Sequence, residues 1–506
     1  MPQFLILTLG CKLNQLESEA VVDMFTQAGF SEYRIGNEKP DSVNINNVNN
    51  QPDIVIINTC TVTSKADQKA RRAIRKALRD YPEACVIVTG CYAQLNREDI
   101  LKLDTDGRLF IIDRNDILAL PQYINQGTGI GEHESRDREL GTGIGNILNS
   151  FCAAKNTQNQ NSLFQFNPNQ FSRHTRAYLK IQDGCDKHCT YCKIRLARGK
   201  SVSLEEEEVL SRLRTLEKTH AEAVLTGVNI SQYFCSGIFY RKQHEPEPQT
   251  SSSAVLSQTE KGSLAELLDY LLSGTEKIAI RLSSLAPDVI DENLAGILSH
   301  PRIRPHFHLS VQSLSDKILN KMRRTYKNET VESAIALIRR VKDDPFIACD
   351  IITGFPGETQ EDFDQTFNLC KKLDFAWIHV FPYSKRQGTP AFLFSDTVTE
   401  SEITKRVKKL TELAKQGRSG YARRWLGKEV DVLIENSPIN IKKFTQTAQT
   451  KNGLITGQNC FCGTSENYLK TLVECEGNTP EAGTALRCKL NDIIENNDLF
   501  VTAQPH

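Results

Sequence analysis

Continuous apolar runs alternate with amphipathic stretches along most of this chain. FLILTLG, from Phe4, is apolar at every position but its threonine and glycine, as expected of a strand buried on both faces. NQLESEAVVDMFTQAG follows with helical spacing. DIVIINT, a helix from about Ser64 to Arg79, CVIVTG, a helix from about Asn96, LFIID and a last helix near Asp116 continue the series. The alternation predicts a parallel, flavodoxin-like α/β sheet with helices on its faces, over residues 1–126. The Asn-rich stretch from Asn37 to Gln51 reads as a surface loop within it.

Residues 127–170 are rich in Gly, Asn, Gln and Ser, and read as a linker. The alternation then resumes over 171–400. YLKIQDG, AEAVLTGVNI, KIAIRLSSL, HFHLSVQS, FIACDIITGFPG and AWIHVFPYS are six predicted strands with polar or glycine tails. Helices fall between them; in the first, the run Glu205 to Glu208 lies in the first turn, where the helix dipole favours acid. The pattern predicts an open (β/α)6 barrel. Residues 233–262 lack periodicity and read as a surface insertion, with Cys235 incidental. A basic helix over 401–425 leads to residues 426–504, where EVDVLIEN, GLITGQN, YLKTLVEC, ALRCKLNDIIE and LFVTAQ predict a small β-barrel. That fold class often binds nucleic acids, and many other ligands as well.

Bulk composition narrows the class. At 506 residues the chain has room for roughly three domains. The net charge is zero, so a polyanion would have to be met by local patches. No run of about 18 apolar residues occurs, so no membrane span is expected. The opening MPQFLILTLGC has no basic lead and reads as a strand, not a signal peptide. Fifteen cysteines in a core-rich chain point to metal clusters in a reducing compartment, the cytoplasm, and not to a disulfide scaffold.

Three of those cysteines stand close together in DGCDKHCTYCKIRLARG. Cys185, Cys189 and Cys192 have the spacing C-x3-C-x2-C, which suits neither paired C-x2-C zinc ligands nor a bacterial ferredoxin run. Three thiolates can hold three irons of a [4Fe–4S] cube and leave the fourth for the amino and carboxylate groups of S-adenosylmethionine, whose reductive cleavage gives a carbon radical. Tyr191 fits as an apolar wall beside that cofactor. Buried or zinc-bound thiols are the competing reading. A second set is dispersed: Cys11, Cys60 and Cys91 each follow a predicted strand of the first sheet. The carboxyl ends of strands form the ligand crevice of an open α/β sheet, so these three converge on one edge, again one ligand short of a closed site. Each alone would pass for a small buried hydrophobe. Cys85 begins its strand and belongs to the opposite end. Asn14, Glu17 and Asn58 crowd the same edge, as ligand-orienting groups or as ordinary polar loop residues.

In barrels the chemistry sits at strand carboxyl ends, which places Thr226, Gly227, Asn229, Ser283, Ser284, Gln312, Ser313, Gly354 and Tyr383 around the mouth. Gly227, Ser283 and Gln312, with Tyr191, are the candidate S-adenosylmethionine contacts. Basic runs occur on all three domains: Lys65, Lys69, Arg71, Arg72, Arg75, Lys76 and Arg79; Lys321, Arg323 and Arg324; Lys405, Arg406, Lys408, Lys409, Arg423 and Arg424. A solvated face explains each alone; together they suit phosphate contact, with Lys65, Lys69, Arg72, Arg75, Arg323 and Arg324 as candidate RNA contacts. Cys460 and Cys462 form a C-x-C pair without cluster spacing, a weak metal hint beside an incidental reading.

The motifs GCKLNQLESE, NTCTVT, GCYAQ, IQDGCDKHCTYC with ARG after it, LTGVNI, RLSSL, HLSVQS, KMRRTY, DIITGFPGET and HVFPYSKRQGTPA, in this order, resemble the methylthiotransferase family of radical S-adenosylmethionine enzymes over nearly the whole chain. The C-terminal barrel is similar to the TRAM domain, an RNA-binding module. Lys12 after Cys11, IQDGC and HLSVQS look closest to the branch acting on N6-threonylcarbamoyladenosine at position 37 of tRNA. The resemblance implies two [4Fe–4S] clusters and S-adenosylmethionine. The cluster on Cys185, Cys189 and Cys192 would make a 5′-deoxyadenosyl radical that takes hydrogen from C2 of the adenine; the one on Cys11, Cys60 and Cys91 would hold the sulfur that becomes the methylthio group. An aromatic C–H offers no acidic proton to a general base, so a radical route makes chemical sense. Implied partners are the tRNA anticodon loop, a reductant protein as electron donor and a sulfur source, with no membrane. The run CKIRLARG, with Arg195 and Leu196, and Leu314 after HLSVQS depart from the usual family pattern and bear on the shape of the substrate pocket. Methylthiolation of isopentenyladenosine in tRNA or of a ribosomal-protein aspartate stays open within the family. Outside it stand a non-enzymatic iron–sulfur or zinc RNA-binding protein and a radical enzyme whose second cluster relays electrons.

Overall fold

The computed structural model describes residues 1–34, 51–104, 106–128, 140–153, 163–168, 171, 175–234, 262–435, 449–450, 453–454, 460–475, 480–495 and 499–505. Most of the expected loop from Asn37 to Gln51, and residues 235–261 of the expected insertion, lie outside them. The chain divides into two compact units. The first comprises Met1–Phe171, Gly184–Asp186 and Cys192–Lys200; the second comprises Ser172–Asp183, Lys187–Tyr191 and Ser201–His506.

The first unit is built on five parallel strands: β1 (Gln3–Thr8), β2 (Ser31–Glu32), β3 (Ile54–Thr59), β4 (Cys85–Gly90) and β5 (Leu109–Ile111), in the order β2-β1-β3-β4-β5. Every residue of β3 and β4 is buried, as their unbroken apolar runs require. Its helices are α1 (Lys12–Gln27), α2 (Ser64–Asp80), α3 (Cys91–Leu95), α4 (Arg97–Leu101), α5 (Leu120–Thr128) and α6 (Leu140–Ala153). The Thr63 hydroxyl caps α2 by accepting from the Ala66 N–H. Ala70, Ile74 and Ala77 bury one stripe of α2 against the sheet and leave the basic residues on the other face. Two features differ from expectation. The helix near Asn96 is preceded by α3, which starts at Cys91 itself. The Gly-rich stretch read as linker carries α6, and its Ile144, Leu148 and Phe151 are buried in the same core as Phe4, Phe25 and Ile87. Apolar burial there outweighs the low helix propensity of its glycines.

The second unit holds the six expected parallel strands: β6 (Ala177–Asp183), β8 (Glu222–Gly227), β9 (Ala279–Leu282), β10 (His306–Gln312), β11 (Phe346–Thr353) and β12 (Trp377–Pro382), with a short antiparallel β7 (Val202–Ser203) on the edge of β6. They form sheets β7-β6-β8-β9 and β10-β11-β12, joined by parallel bridges Ile280↔Ile303 and Leu285↔Leu309. Alternation along β10 is clean: Phe307, Leu309 and Val311 are buried, while His308, Ser310 and Gln312 keep some exposure.

Five strands close the C-terminal barrel in the order β13-β16-β17-β19-β18: β13 (Glu429–Ile434), β16 (Cys460–Ser465), β17 (Lys470–Glu474), β18 (Ala485–Glu495) and β19 (Leu499–Pro505). One expected strand is corrected. Within GLITGQN the described residues form only β15 (Gly453–Leu454), paired with β14 (Gln449–Thr450) outside the barrel; the segment CFCGTS supplies the fifth barrel strand. Cys460 and Cys462 are buried there with Leu472, Ile494 and Phe500, so they serve as strand side chains packed among apolar neighbours.

This closed barrel covers the amino ends of the open barrel's strands. Phe346, Ala348 and Ala376 share one core with Tyr421, Trp425, Val430, Val432 and Val501. The His306 ring stacks on Tyr468 at 3.9 Å. Beneath them Glu222 accepts from Arg281 (Nε–Oε1 2.7 Å, Nη2–Oε2 3.1 Å) and from Arg304 (Nε–Oε2 3.1 Å). Arg304 also reaches Asp431 at 3.4 Å and Glu466 at 3.5 Å. No helix among the described residues is long and apolar enough to cross a membrane.

Candidate active site

Cys11, Cys60 and Cys91 stand at the carboxyl ends of β1, β3 and β4, as the strand pattern required. Cys11 is the N-cap of α1, Cys60 directly follows β3, and Cys91 opens α3. Asn14 fixes this edge. Its Oδ1 accepts from the Cys11 N–H at 3.2 Å, and its Nδ2 donates to Asn58 Oδ1 at 2.9 Å; Asn58 Nδ2 donates back to the Asn14 carbonyl at 3.0 Å. The two amides, 44 residues apart in sequence, thus hold the Cys11 and Cys60 loops in one register. Cys60 and Cys91 are buried and Cys11 is exposed. Burial, with the neighbouring Cys11 and Cys91 thiols adding to it, pushes the Cys60 thiol up to about 12. Burial also raises Cys91, against the pull of the Arg198 guanidinium. Thiols in that state become ligands only when a cation displaces their protons.

The residues suit an iron–sulfur group in donor chemistry, with three thiols at the carboxyl ends of β1, β3 and β4. A Cβ at Gly10 (φ +130°) would stand 2.6 Å from the Cys60 Cβ and 2.3 Å from Asn14 Oδ1, so the glycine keeps the approach beside Cys11 clear. Among the described residues no three His, Cys, Asp or Glu side chains are drawn together in ligand geometry, so the thiols would close on such a group when it binds.

The segment Gly184–Gly199 carries the other three cysteines. Lys180 and Asp183, both buried and paired at 2.5 Å, stiffen the end of β6 that feeds it. Gly184 has φ +71°, and a Cβ there would lie 1.8 Å from the Lys200 carbonyl, so only glycine lets the chain turn. The Cys185 N–H donates to the Gly199 carbonyl at 3.1 Å, and the Ile194 N–H donates to Cys192 Sγ at 3.4 Å, opening the short helix α7 (Ile194–Arg198). Cys189 Sγ accepts from Arg324 Nη1 at 3.4 Å. Arg324 also donates through Nη2 to the Ser310 carbonyl at 2.9 Å and through Nε to the Tyr326 hydroxyl at 2.8 Å. All three guanidinium nitrogens are thus committed inside the protein. That turns Arg324 from the phosphate contact suggested by its basic run into a support for the Cys189 loop. Arg323 beside it is exposed.

Gly227 ends β8, Ser283 directly follows β9 and Gln312 ends β10, so the three candidate cofactor contacts stand at the carboxyl ends of successive strands. Gln312 adopts φ 66° at an irregularity in the β10–β11 register. Such a left-handed non-glycine conformation is held by its surroundings. Tyr191 packs edge-on against Phe355, centroids 6.4 Å apart, beside Ile318, Met322 and Ala391.

On α2, Lys65, Lys69, Arg72, Arg75 and Lys76 are all exposed, and no ion pair among the described residues engages them. Sequence reasoning missed two contacts. Arg198 donates to Cys91 Sγ, and His308 Nε2 lies 3.0 Å from Asp350 Oδ1 with Ser284 Oγ 3.0 Å from its Nδ1. The partners of Arg198 are 107 and 181 residues away, beyond any local signal. The alternation of His308 with buried neighbours on β10 was the cue available for the second.

Comparison with known proteins completes the picture. Residues 179–370 match the radical SAM superfamily, and residues 3–111 match an uncharacterised protein family, UPF0004. The chain is 34% identical to the threonylcarbamoyladenosine tRNA methylthiotransferase MtaB of Treponema pallidum, over 96% of this chain and 97% of that one. It is 31% identical to the protein of the same name from Bacillus subtilis, over 92% and 89% of the two chains. It is 28% identical to the tRNA-2-methylthio-N(6)-dimethylallyladenosine synthase of Methylacidiphilum infernorum, over 91% and 90%.

Proposed function

Because this chain belongs to the methylthiotransferase family of radical S-adenosylmethionine enzymes, we propose that it replaces the C2 hydrogen of N6-threonylcarbamoyladenosine at position 37 of tRNA by a methylthio group. The observation that carries this reading is the pairing, in one chain, of a C-x3-C-x2-C loop at the end of β6 with three cysteines at the strand ends of a separate α/β sheet. Two jobs, cleaving S-adenosylmethionine and delivering sulfur, call for two such sites.

Cys185, Cys189 and Cys192 would hold the [4Fe–4S] cluster that binds S-adenosylmethionine, and Cys11, Cys60 and Cys91 a second one. Bound and reduced, the first would supply the electron for cleavage and the second the sulfur. The protein's own residues do the rest. Gly227, Ser283 and Gln312 line the strand ends where the cofactor's polar groups need partners, and Tyr191 offers its ring as a wall held by Phe355. Arg324 places a cation on Cys189 Sγ. Lys65, Lys69, Arg72 and Arg75 on α2, with Arg323, meet the phosphates of the anticodon stem; the single-stranded loop lets the base leave its stack and enter the site.

In this reading residues 1–126 form the sulfur-donating domain, 171–400 the radical core and 426–504 a TRAM-like RNA-binding barrel. The enzyme works in the cytoplasm, fed by a reductant protein and a sulfur source. The test is oxygen-free reconstitution, addition of reductant, S-adenosylmethionine and tRNA carrying threonylcarbamoyladenosine, and mass spectrometry of the digested nucleosides. The expected product is heavier by a methylthio group in place of hydrogen. Release of 5′-deoxyadenosine without that product would overturn the substrate and direct the search to isopentenyladenosine.

A further inference from the structure

Behind Cys91 lies a buried ionic cluster that cofactor binding alone does not explain. Arg198 Nε donates to Cys91 Sγ at 3.1 Å, and its Nη2 donates to Glu17 Oε1 at 3.0 Å. Arg114 Nη1 stands 3.8 Å from the same carboxylate oxygen. The side chains of Arg198 and Glu17 are each 2% exposed and that of Arg114 8%. Taking a guanidinium this far out of water is costly unless its charge is met. Within this cluster two guanidiniums face one carboxylate, which leaves an excess of positive charge beside the Cys91 sulfur. An iron–sulfur cube on three thiolates is a net anion and would neutralise it.

The same arginine is tied to the other cysteine set by the chain. Arg198 ends α7, which starts two residues after Cys192. The Ile194 N–H holds Cys192 Sγ, and the carbonyl of Gly199, next to Arg198, holds the Cys185 N–H at 3.1 Å. One five-residue helix therefore fastens Cys185, Cys192 and Cys91 together.

We propose that Arg198 is a positioning residue acting through Cys91: its guanidinium donates to the cysteine sulfur of the second cluster, keeps that cluster's reduction potential up, and ties α7, with Cys185 and Cys192 bound to its two ends, to Cys91. This rests on the reading that Cys11, Cys60 and Cys91 hold a cluster. Hydrogen bonds and positive charge at a cluster's sulfurs favour its reduced, more negative form, and the groups around the ligands tune the metal. Glu17 then acts in the opposite sense, as counter-charge to Arg198.

The test uses the full chain with Cys185→Ala, Cys189→Ala and Cys192→Ala, reconstituted with iron and sulfide alone so that only the second site is filled. Potentials are read by a redox titration followed by electron paramagnetic resonance, with iron content measured alongside. In that background Arg198→Gln lowers the potential, Arg198→Lys recovers most of it, and Glu17→Gln raises it. Iron affinity in Arg198→Gln falls about 10–100-fold, as is usual when a partner of a metal ligand is lost. A merely structural role would weaken iron binding without opposite shifts in potential. Iron bound at an unchanged potential in both Arg198→Gln and Glu17→Gln overturns the proposal and leaves the second-cluster reading standing. No iron in the parent triple variant overturns both. If Arg198→Gln does not fold, Glu17→Gln decides: a raised potential supports the proposal and an unchanged one overturns it.

Discussion

Glu222→Gln should destabilise the second unit by about 3 kcal/mol at neutral pH. Glu222 opens β8 beneath the closed barrel and accepts from Arg281 through both oxygens and from Arg304 through one. Desolvation works to raise its carboxyl, and the arginines, Arg281 foremost, overcome it and hold the pKa at about 2 instead of 4.5. Holding the carboxyl at about 2 instead of 4.5, at about 1.36 kcal/mol for each tenfold change in proton affinity, is worth about 3 kcal/mol. The mutational estimate agrees: removing one partner of a buried pair leaves an unmet charge and costs about 3–5 kcal/mol. Because the folded pKa is depressed, this stability is fully present above pH 4.5 and is lost as pH falls towards 2. The gap between parent and variant should therefore be constant from pH 8 to about 5 and narrow below that. The chain's two tryptophans make the assay local. Trp425 lies in the core shared by the open and closed barrels, and Trp377 packs against it, so tryptophan fluorescence during urea unfolding reports this interface. A variant that unfolds at the parent's urea concentration, or a gap that grows below pH 4, would refute the reasoning.

Three further expectations concern the sites. Gly184→Ala forces a Cβ onto the Lys200 carbonyl at a φ that disfavours it, so iron held by Cys185, Cys189 and Cys192 should fall, read as iron content in a Cys11→Ala, Cys60→Ala, Cys91→Ala background. Cys60→Ala should spare some S-adenosylmethionine cleavage while ending methylthio transfer; product at the parent level would rule out its role as a sulfur-site ligand. Replacing Lys69, Arg72, Arg75 and Lys76 by Ala should make the log–log dependence of tRNA affinity on salt shallower by roughly 3, at about 0.7–0.9 per lost phosphate contact; an identical slope would exclude this face of α2.

The α/β layout was legible because β1, β3 and β4 are unbroken apolar runs, and the open-barrel strands are apolar-rich segments, that end in glycine, polar residues or cysteine. The same feature located Cys11, Cys60 and Cys91, since a strand's end in sequence is its end in space. What escaped was set by tertiary contact. α3 is five residues long, too short for a periodic signal. α6 is helical because Ile144, Leu148 and Phe151 find a core, a reward invisible in a run of glycines. CFCGTS was read for its thiols and not for its alternation, and so its strand went unseen. Arg324 belonged to a basic run, KMRR, whose members face differently: Arg323 outward, Arg324 onto Cys189. Composition cannot separate neighbours that point to opposite sides.

The closed barrel seated on the amino ends of β8–β12 makes the open barrel a cup with a borrowed floor. The floor brings its own aromatic and ionic lining, Tyr468 under His306 and Glu466 and Asp431 against Arg304. The RNA-binding module of this reading is thus no detachable handle. Cutting the chain at Leu426 would open the cup at its base and strip the cover from Phe346, Ala348 and Ala376. Loss of activity in such a truncation would report a leaking vessel as readily as a lost grip on RNA, and surface charge changes that leave the floor in place are the informative alternative.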